Sequence, residues 1–249
     1  MTRILVLGGT SEATRLARSL AEARADAVFS YAGRTTAPAA QPLPTRVGGF
    51  GGVEGLIDYL WRARITHVVD ATHPFAAKMS ANAVAACREA GVALCALERA
   101  SWQAGPGDDW QHVPDMAGAV AALPDRPIRV FLAIGRQNLP EFAGRQQHFY
   151  LLRLVDRPEG ALPLPRAEAV IARGPFTREG DRALLEEHAI DLVVAKNAGG
   201  AGAWAKLDAA RDLGLPVILI DRPAIPARRV LGRVDEVMAW LRHSARLGV

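Results

Sequence analysis

The sequence predicts an α/β fold of two similar Rossmann-like units with parallel sheets and an active-site cleft between them. Three observations predict it. Short unbroken apolar runs such as Ile4 to Leu7 and Val130 to Ile134 alternate with helical patterns, as expected of strands covered on both faces in a parallel sheet. The first run leads directly into Gly8-Gly9-Thr10-Ser11-Glu12, a glycine turn and a helix start. The order of elements in the first half then returns about 125 residues later.

Gly8 and Gly9 let the backbone turn sharply and approach a ligand with no Cβ in the way. The helix from about Ser11 to Arg24 carries Ala13, Leu16, Ala17 and Leu20 on its apolar face, and its N-terminus offers the amides and dipole end that hold phosphate. Thr10 and Ser11 stand where the full G-x-G-x-x-G fingerprint would have further glycines, so the stretch reads either as a phosphate turn or as a plain tight turn. A second strand, Ala27 to Ala32, ends at Gly33-Arg34-Thr35. In a dinucleotide fold that end faces the adenosine ribose, where an acid indicates NAD and an arginine accommodates the 2′-phosphate of NADP. Arg34, flanked by Thr35 and Thr36, favours NADP over a solvated loop arginine.

After a turn-rich stretch from Pro38 to Pro44, a short strand falls around Arg46-Val47. Gly48 to Gly52, built around Phe50, reads as a flexible lid or as a strand-to-helix turn, before a helix with Leu56, Ile57, Leu60 and Trp61 on its apolar side. The next strand ends at Asp70, followed by Ala71-Thr72-His73-Pro74, with Pro74 suited to the first turn of the next helix. Asp70, Thr72 and His73 thus gather at the carboxyl end of a strand, where open α/β sheets bind ligands, which favours a site role for His73. His67, near the strand start, reads as structural.

A helix from Ala77 to Ala90 ends at Gly91, and a strand from Val92 to Leu97 closes with Glu98-Arg99. A loop with Trp102 and Trp110 at core edges, a short strand Gln111 to Val113 and a helix capped by Asp115 follow. Pro124-Asp125-Arg126-Pro127 then breaks the pattern and predicts a boundary: residues 1–125 as an NADP-binding Rossmann-like domain, 126–249 as a second α/β domain that binds substrate. In the second half, Arg129 to Gly135 answers Arg3 to Gly9, Phe176 answers Phe50 and Asp191 to Val194 answers His67 to Asp70. Arg229 to Leu231 and Val234 to Leu241 repeat the last strand and helix. Its strand ends are different in kind: Gly135-Arg136-Gln137, Arg173-Gly174-Pro175, Lys196-Asn197-Ala198-Gly199-Gly200 and Asp221-Arg222. Several cations on one sheet edge suit a ligand with several carboxylates.

Composition narrows the classes. The 249 residues contain no apolar run near the ~20 needed to cross a membrane. The N-terminus enters a strand at once, so no signal peptide is expected. Cys87 and Cys95, the only thiols, are not spaced as a metal clip, and neither disulfides nor metal are expected. The net charge of +4 comes without basic runs, which argues against nucleic acid. A cytoplasmic protein is expected. Tyr31, Tyr59 and Tyr150 all lack a lysine four residues on, which removes the short-chain dehydrogenase proton relay.

Taken together, Leu7-Gly8-Gly9-Thr10-Ser11-Glu12, Asp70-Ala71-Thr72-His73-Pro74-Phe75-Ala76, Gly135-Arg136-Gln137 and Lys196-Asn197-Ala198-Gly199-Gly200 resemble, in family order, the precorrin-6A reductases of cobalamin biosynthesis. The resemblance covers essentially the whole chain, and the Asp70 to Ala76 string is its specific part. It implies NADPH-dependent reduction of precorrin-6A, a polycarboxylate tetrapyrrole, to precorrin-6B, with hydride to carbon C19 and a proton to C18. It also implies no metal or flavin in the protein, and neighbouring enzymes of the pathway as further partners. On that match, Gly8, Gly9, Thr10, Ser11, Glu12, Gly33, Arg34, Thr35, Asp70, Ala71 and Thr72 would hold the cofactor. Arg136, Arg173, Lys196, Asn197 and Gly199 would face the macrocycle, with His73 and Lys196 as the catalytic candidates for proton delivery. Two other readings stand beside it: a reductase of the cobalt-containing macrocycle of the anaerobic route, and a non-enzymatic NADP-binding redox sensor. A sensor would not need the cationic strand ends of the second half.

Overall fold

The computed structural model describes residues 2–33, 39–158 and 160–247, with side chains as far as residue 243. The chain opens with β1 (Ile4–Leu7), α1 (Ser11–Glu22), β2 (Ala27–Tyr31), β3 (Thr45–Val47), α2 (Gly52–Arg62), β4 (His67–Asp70), α3 (Ala77–Ala90) and β5 (Ala93–Leu97). It continues with β6 (Trp110–Val113), α4 (Met116–Ala121), β7 (Arg129–Ala133), β8 (Phe149–Leu154), β9 (Ala167–Ile171), α5 (Arg178–Glu187), β10 (Leu192–Lys196), α6 (Ala205–Asp212) and β11 (Val217–Ile220). β12 (Arg229–Leu231) and α7 (Val234–Leu247) finish it.

The strands form two six-stranded parallel sheets, ordered β12-β5-β4-β1-β2-β3 and β6-β11-β10-β7-β8-β9. This is the doubly wound order expected of Rossmann-like units, in which strand order reverses beside the first strand. The sixth strand of each sheet is exchanged. β6 joins β11 with Val113 opposite Ile220, and β12 returns to β5 with Leu231 opposite Leu97. The two compact units are therefore Met1–Ala100 with Ala224–Val249, and Ser101–Pro223.

This corrects the boundary expected at 125. The Pro124-Asp125-Arg126-Pro127 stretch is a turn between α4 and β7 inside the second unit. Local punctuation marks where an element stops, whereas the partner that covers an open sheet edge is set by long-range pairing. The repeat of a last strand and helix is real, but each copy serves the other half's sheet.

In the first unit, alternation along β1 serves two cores. Ile4 and Val6 pack with Leu16 and Leu20 of α1, Phe29 of β2, and Val237 and Leu241 of α7. Leu5 and Leu7 pack on the opposite face with Leu56 and Leu60 of α2 and Ala83, Ala86 and Cys87 of α3. Each fully buried leucine contributes about 1.5–3 kcal/mol. Trp61, expected on the apolar side of α2, is 61% exposed; it lies about a third of a turn from the centre of the Leu56/Leu60 stripe. In the second unit, Phe131, Leu151, Val193, Leu207 and Leu219 form a corresponding core with Trp102. Burial pushes both thiols, Cys87 and Cys95, up to about 12, so neither is a reactive thiolate near neutral pH. Among the described residues no helix is long and apolar enough to cross a membrane, and no group of His, Cys, Asp and Glu could hold a metal ion.

Candidate active site

All strands of a parallel sheet end on one side, so the connections after β1, β2, β4 and β5 share one edge of the first unit. Gly8 extends the ladder by donating its amide to Ser30 O at 2.9 Å. A Cβ there would run into the ring of Phe29. Gly9, at φ 141°, is where the chain needs a glycine backbone, and among the described residues nothing lies within 4 Å of where its Cβ would stand. Thr10 then caps α1. Its Oγ1 accepts from Ala13 N at 3.1 Å and donates to Ala71 O at 2.9 Å, tying the turn after β1 to the end of β4.

Glu12 sits buried in the first turn of α1. Its Oε2 receives Arg99 Nη1 at 2.6 Å and Ser11 Oγ at 3.1 Å, while Oε1 receives Arg15 Nη2 at 2.9 Å. Burial alone would raise its pKa. The charge of Arg99 and hydrogen bonds from its own backbone, Ser11 and Arg99 outweigh that and hold the carboxyl below its ordinary range.

At the end of β4, the predicted cluster is present, with a division of roles. Asp70 is buried and its Oδ1 accepts from Thr72 N at 3.2 Å and Thr72 Oγ1 at 2.7 Å. Ala71 is wholly buried and acts through its backbone, donating to Leu7 O at 2.9 Å and accepting from Thr10. Both shape the turn rather than present a side chain. His73 is half-buried and its Nδ1 accepts from Phe75 N at 3.2 Å, which leaves the proton of the neutral ring on Nε2. Pro74 is not in the first turn of α3: that helix starts three residues later, at Ala77, because residues 71 to 76 are taken up by the turn that Asp70 and His73 organise. His67 is structural as expected, buried with Nδ1 at 2.9 Å from Thr66 Oγ1 and its ring edge-on to Trp240. Burial lowers its pKa.

Gly33 follows β2 at φ 75°. Arg34 and Thr35, the expected 2′-phosphate residues, lie outside the described residues. The neighbouring Gly48–Gly52 stretch is a strand-to-helix turn organised by Arg46. Its guanidinium donates to Ser30 Oγ at 2.8 Å, Gly48 O at 2.9 Å and Gly49 O at 3.0 Å, and lies 3.9 Å over the ring of Phe50. Nothing in the sequence distinguished Arg46 from a surface strand arginine.

In the second unit, β7 runs through Gly135 into a 3-10 turn, Arg136–Phe142, rather than into a long helix with a phosphate-type start. Arg136 is exposed there. Lys196, the last residue of β10, donates to Asn138 Oδ1 at 2.8 Å, so these two predicted strand ends do meet. Arg173 is exposed and pairs with Asp156 at 3.1 Å.

Asn197 and Gly199 are the other two residues expected to face the macrocycle. Both are buried, and the Asn197 amide is engaged by the backbone of Trp102, accepting from its N at 2.7 Å and donating to its O at 3.2 Å. Trp102 Nε1 donates to Gly200 O at 2.8 Å, and Arg222 donates to the carbonyls of Asn197 and Ala198 at 3.0 and 3.2 Å. The Lys196–Gly200 loop is thus braced from two sides. Sequence reading also passed over Arg153 and Asp181, a buried ion pair between β8 and α5 whose guanidinium lies 4.0 Å over Phe176. Apolar strand β8 was not singled out in the sequence, and its one arginine went with it.

Two doubly wound parallel sheets, the first with a glycine turn and a capped helix at its carboxyl edge, define a Rossmann-like α/β protein. Residues 3–242 match the model of the family described as precorrin-6x reductase CbiJ/CobK. A precorrin-6A reductase of Rhodobacter capsulatus is 70% identical over 241 residues, covering 97% of this chain and 96% of that protein. A cobalt-precorrin-6A reductase of Priestia megaterium is 31% identical over 254 residues, covering 98% and 99%. A solved structure titled CobK precorrin-6A reductase superposes with a TM-score of 0.95 at 69% identity, covering 98% of this chain and 97% of that one. The chain belongs to the precorrin-6x reductase family. It is a reductase, and that chemistry implies a nicotinamide cofactor.

Proposed function

We propose that the chain reduces metal-free precorrin-6A to precorrin-6B with NADPH, hydride going to carbon C19 and a proton to C18. The observation that carries the cofactor half is the Gly8–Glu12 turn pinned to β4 by the Thr10–Ala71 hydrogen bond. The open space at Gly9 fits a ligand backbone approaching closely, and the first turn of α1 faces the same edge. Bound NADPH supplies the hydride; the chain's own residues position the partners and manage the proton. Gly8, Gly9, Thr10, Ser11 and Thr72 line the cofactor, Glu12, Asp70 and Ala71 fix the shape of that turn, and Gly33, Arg34 and Thr35 receive the ribose phosphate. Arg136, Arg173 and Lys196 receive the carboxylates of the macrocycle, on a loop that Asn197 and Gly199 hold in place. His73, with its proton on Nε2, and the ammonium of Lys196 are the two groups suited to deliver the proton. A cytoplasmic site of action, with neighbouring enzymes of the pathway as partners, belongs to this reading.

The cobalt-containing macrocycle is the second reading, and the higher identity to the metal-free reductase favours the first. The test is loss of NADPH absorbance with purified protein and enzymatically made precorrin-6A, metal-free and cobalt-loaded in parallel. Turnover of the metal-free compound is expected. Turnover of the cobalt form alone would move the chain to the anaerobic route, and NADPH binding without turnover of either would leave the redox-sensor reading.

A further inference from the structure

The first unit carries a second concavity outboard of the glycine turn. It holds about 510 Å³ between α1, the end of β5 and the turn into α7, within the range of small-ligand pockets. Because Leu97 of β5 stands opposite Leu231 of β12, this cavity lies at the carboxyl ends of those two strands, the same sheet edge as Gly8–Glu12. Glu12 belongs to both places, since it opens α1 beside the glycine turn and lines the cavity.

Three arginines line it: Arg15 and Arg18 from α1 and Arg233 from the turn before α7. Arg15 is held by Glu12 at 2.9 Å, and Arg233 by Asp235 at 3.1 Å and Glu236 at 3.3 Å. Among the described residues Arg18 makes no ion pair. The start of α7 is not itself the attraction, because Glu236 Oε2 already accepts from Gly232 N and Arg233 N. The three guanidiniums that line the cavity stand against two carboxylates in its wall, Glu12 and Asp235, an excess of one positive charge. A single carboxylate neutralises that excess and matches the guanidinium fork. A phosphate dianion would overshoot it, against the Glu12 and Asp235 walls.

We propose that this cavity is a carboxylate subsite, in which Arg18 and Arg233 take an acidic side chain of the substrate lying across the strand ends. The proposal rests on the reading of the substrate as precorrin-6A. Arg18 is exposed on a helix, so Arg18→Ala leaves folding intact. Steady-state kinetics should show KM for precorrin-6A rising about three- to tenfold in Arg18→Ala, with Arg18→Lys between the two and the NADPH Kd within about twofold of wild type. An unchanged KM in both Arg18→Ala and Arg18→Ala/Arg233→Ala overturns the subsite. So does a weakened NADPH Kd, which would give the cavity to the cofactor.

Calorimetry with propionate, a single carboxylate, and with inorganic phosphate separates the sources of the anion. Propionate should bind wild type, compete with precorrin-6A, and bind Arg18→Ala more weakly; propionate that binds without competing would make this a site for a free carboxylate and overturn the substrate assignment. Phosphate binding as tightly as propionate would overturn the carboxylate preference. If wild type does not turn over precorrin-6A, the functional reading fails by itself. Propionate binding that depends on Arg18 then still supports a carboxylate site, and its absence removes it.

Discussion

Glu12 and Arg99 join the first turn of α1 to the residue two past the end of β5, with Oε2 and Nη1 2.6 Å apart and both side chains largely buried. Arg99→Ala leaves Glu12 with the exposed Arg15 as its one cationic partner beside the Ser11 hydroxyl, at an expected cost of about 1–3 kcal/mol in urea unfolding at neutral pH. The pH dependence has a definite sign. Glu12 titrates below its ordinary 4.5 in the fold, so its ionised form stabilises the protein above that value and the contribution is lost as pH falls through the lower folded pKa. In Arg99→Ala, burial without its main counter-charge pushes the carboxyl up, and the gap between the two proteins should shrink on going to about pH 4. Equal stability of the two proteins at both pH values would remove the pair as a structural tie.

Gly8 and Phe29 make a second tie, through space that only a missing Cβ leaves. Gly8→Ala drives a methyl into the ring and should cost about 1–3 kcal/mol. Phe29→Leu in the same chain should recover part of that loss. Failure of the double variant to recover anything would mean that the backbone at Gly8, not the ring, sets the requirement.

Arg34 carries the coenzyme preference in the proposed function. Arg34→Ala should weaken NADPH about tenfold or more, equivalent to ~1.4 kcal/mol, with a much smaller change for NADH. Titration of both coenzymes by fluorescence reads this directly. Equal loss of both would take the 2′-phosphate away from Arg34.

These expectations were legible in the sequence to different depths. The apolar runs of β1, β4 and β10 mark parallel strands because both faces are buried, and Gly91 ends one helix and Asp115 caps another by local chemistry that sequence shows. The exchange of β6 and β12 was not legible, because either strand suits either edge by composition and only the pairing with β11 and β5 decides. At the site, residue types at strand ends were readable, but not which of them face outward. Asn197 and Lys196 are adjacent in sequence, yet one is buried against Trp102 and the other reaches Asn138. That distinction depends on a tryptophan 95 positions away.

Arg153 and Asp181 are a buried pair that joins β8 to the first turn of α5, beneath the connection that carries Arg173. Removing one partner strands the other charge, so Asp181→Ala should cost about 3–5 kcal/mol in unfolding. Replacing both by well-packed apolar residues, as in Arg153→Met/Asp181→Leu, should cost much less, and a double-mutant cycle reads the coupling. Additive effects of the two single changes would show that the pair does not act as a unit.

Asn197 separates a brace from a ligand contact. Its amide holds Trp102 N and O at once, both groups buried, so Asn197→Ala leaves two backbone groups without that partner and should cost about 2–3 kcal/mol with no substrate present. The Trp102 indole, which donates to Gly200 and lies under Lys206 Nζ at 4.7 Å, should then change its fluorescence as the loop loosens. A rise in substrate KM is expected as well, but as a consequence: it should track the loss of stability and be accompanied by weaker protection of the 197–200 amides in hydrogen exchange. Lys196→Ala is the control, because its ammonium bonds to the part-buried side chain of Asn138; it should change KM with little effect on unfolding. If Asn197→Ala unfolds like wild type and only KM moves, Asn197 contacts the substrate and the brace is wrong.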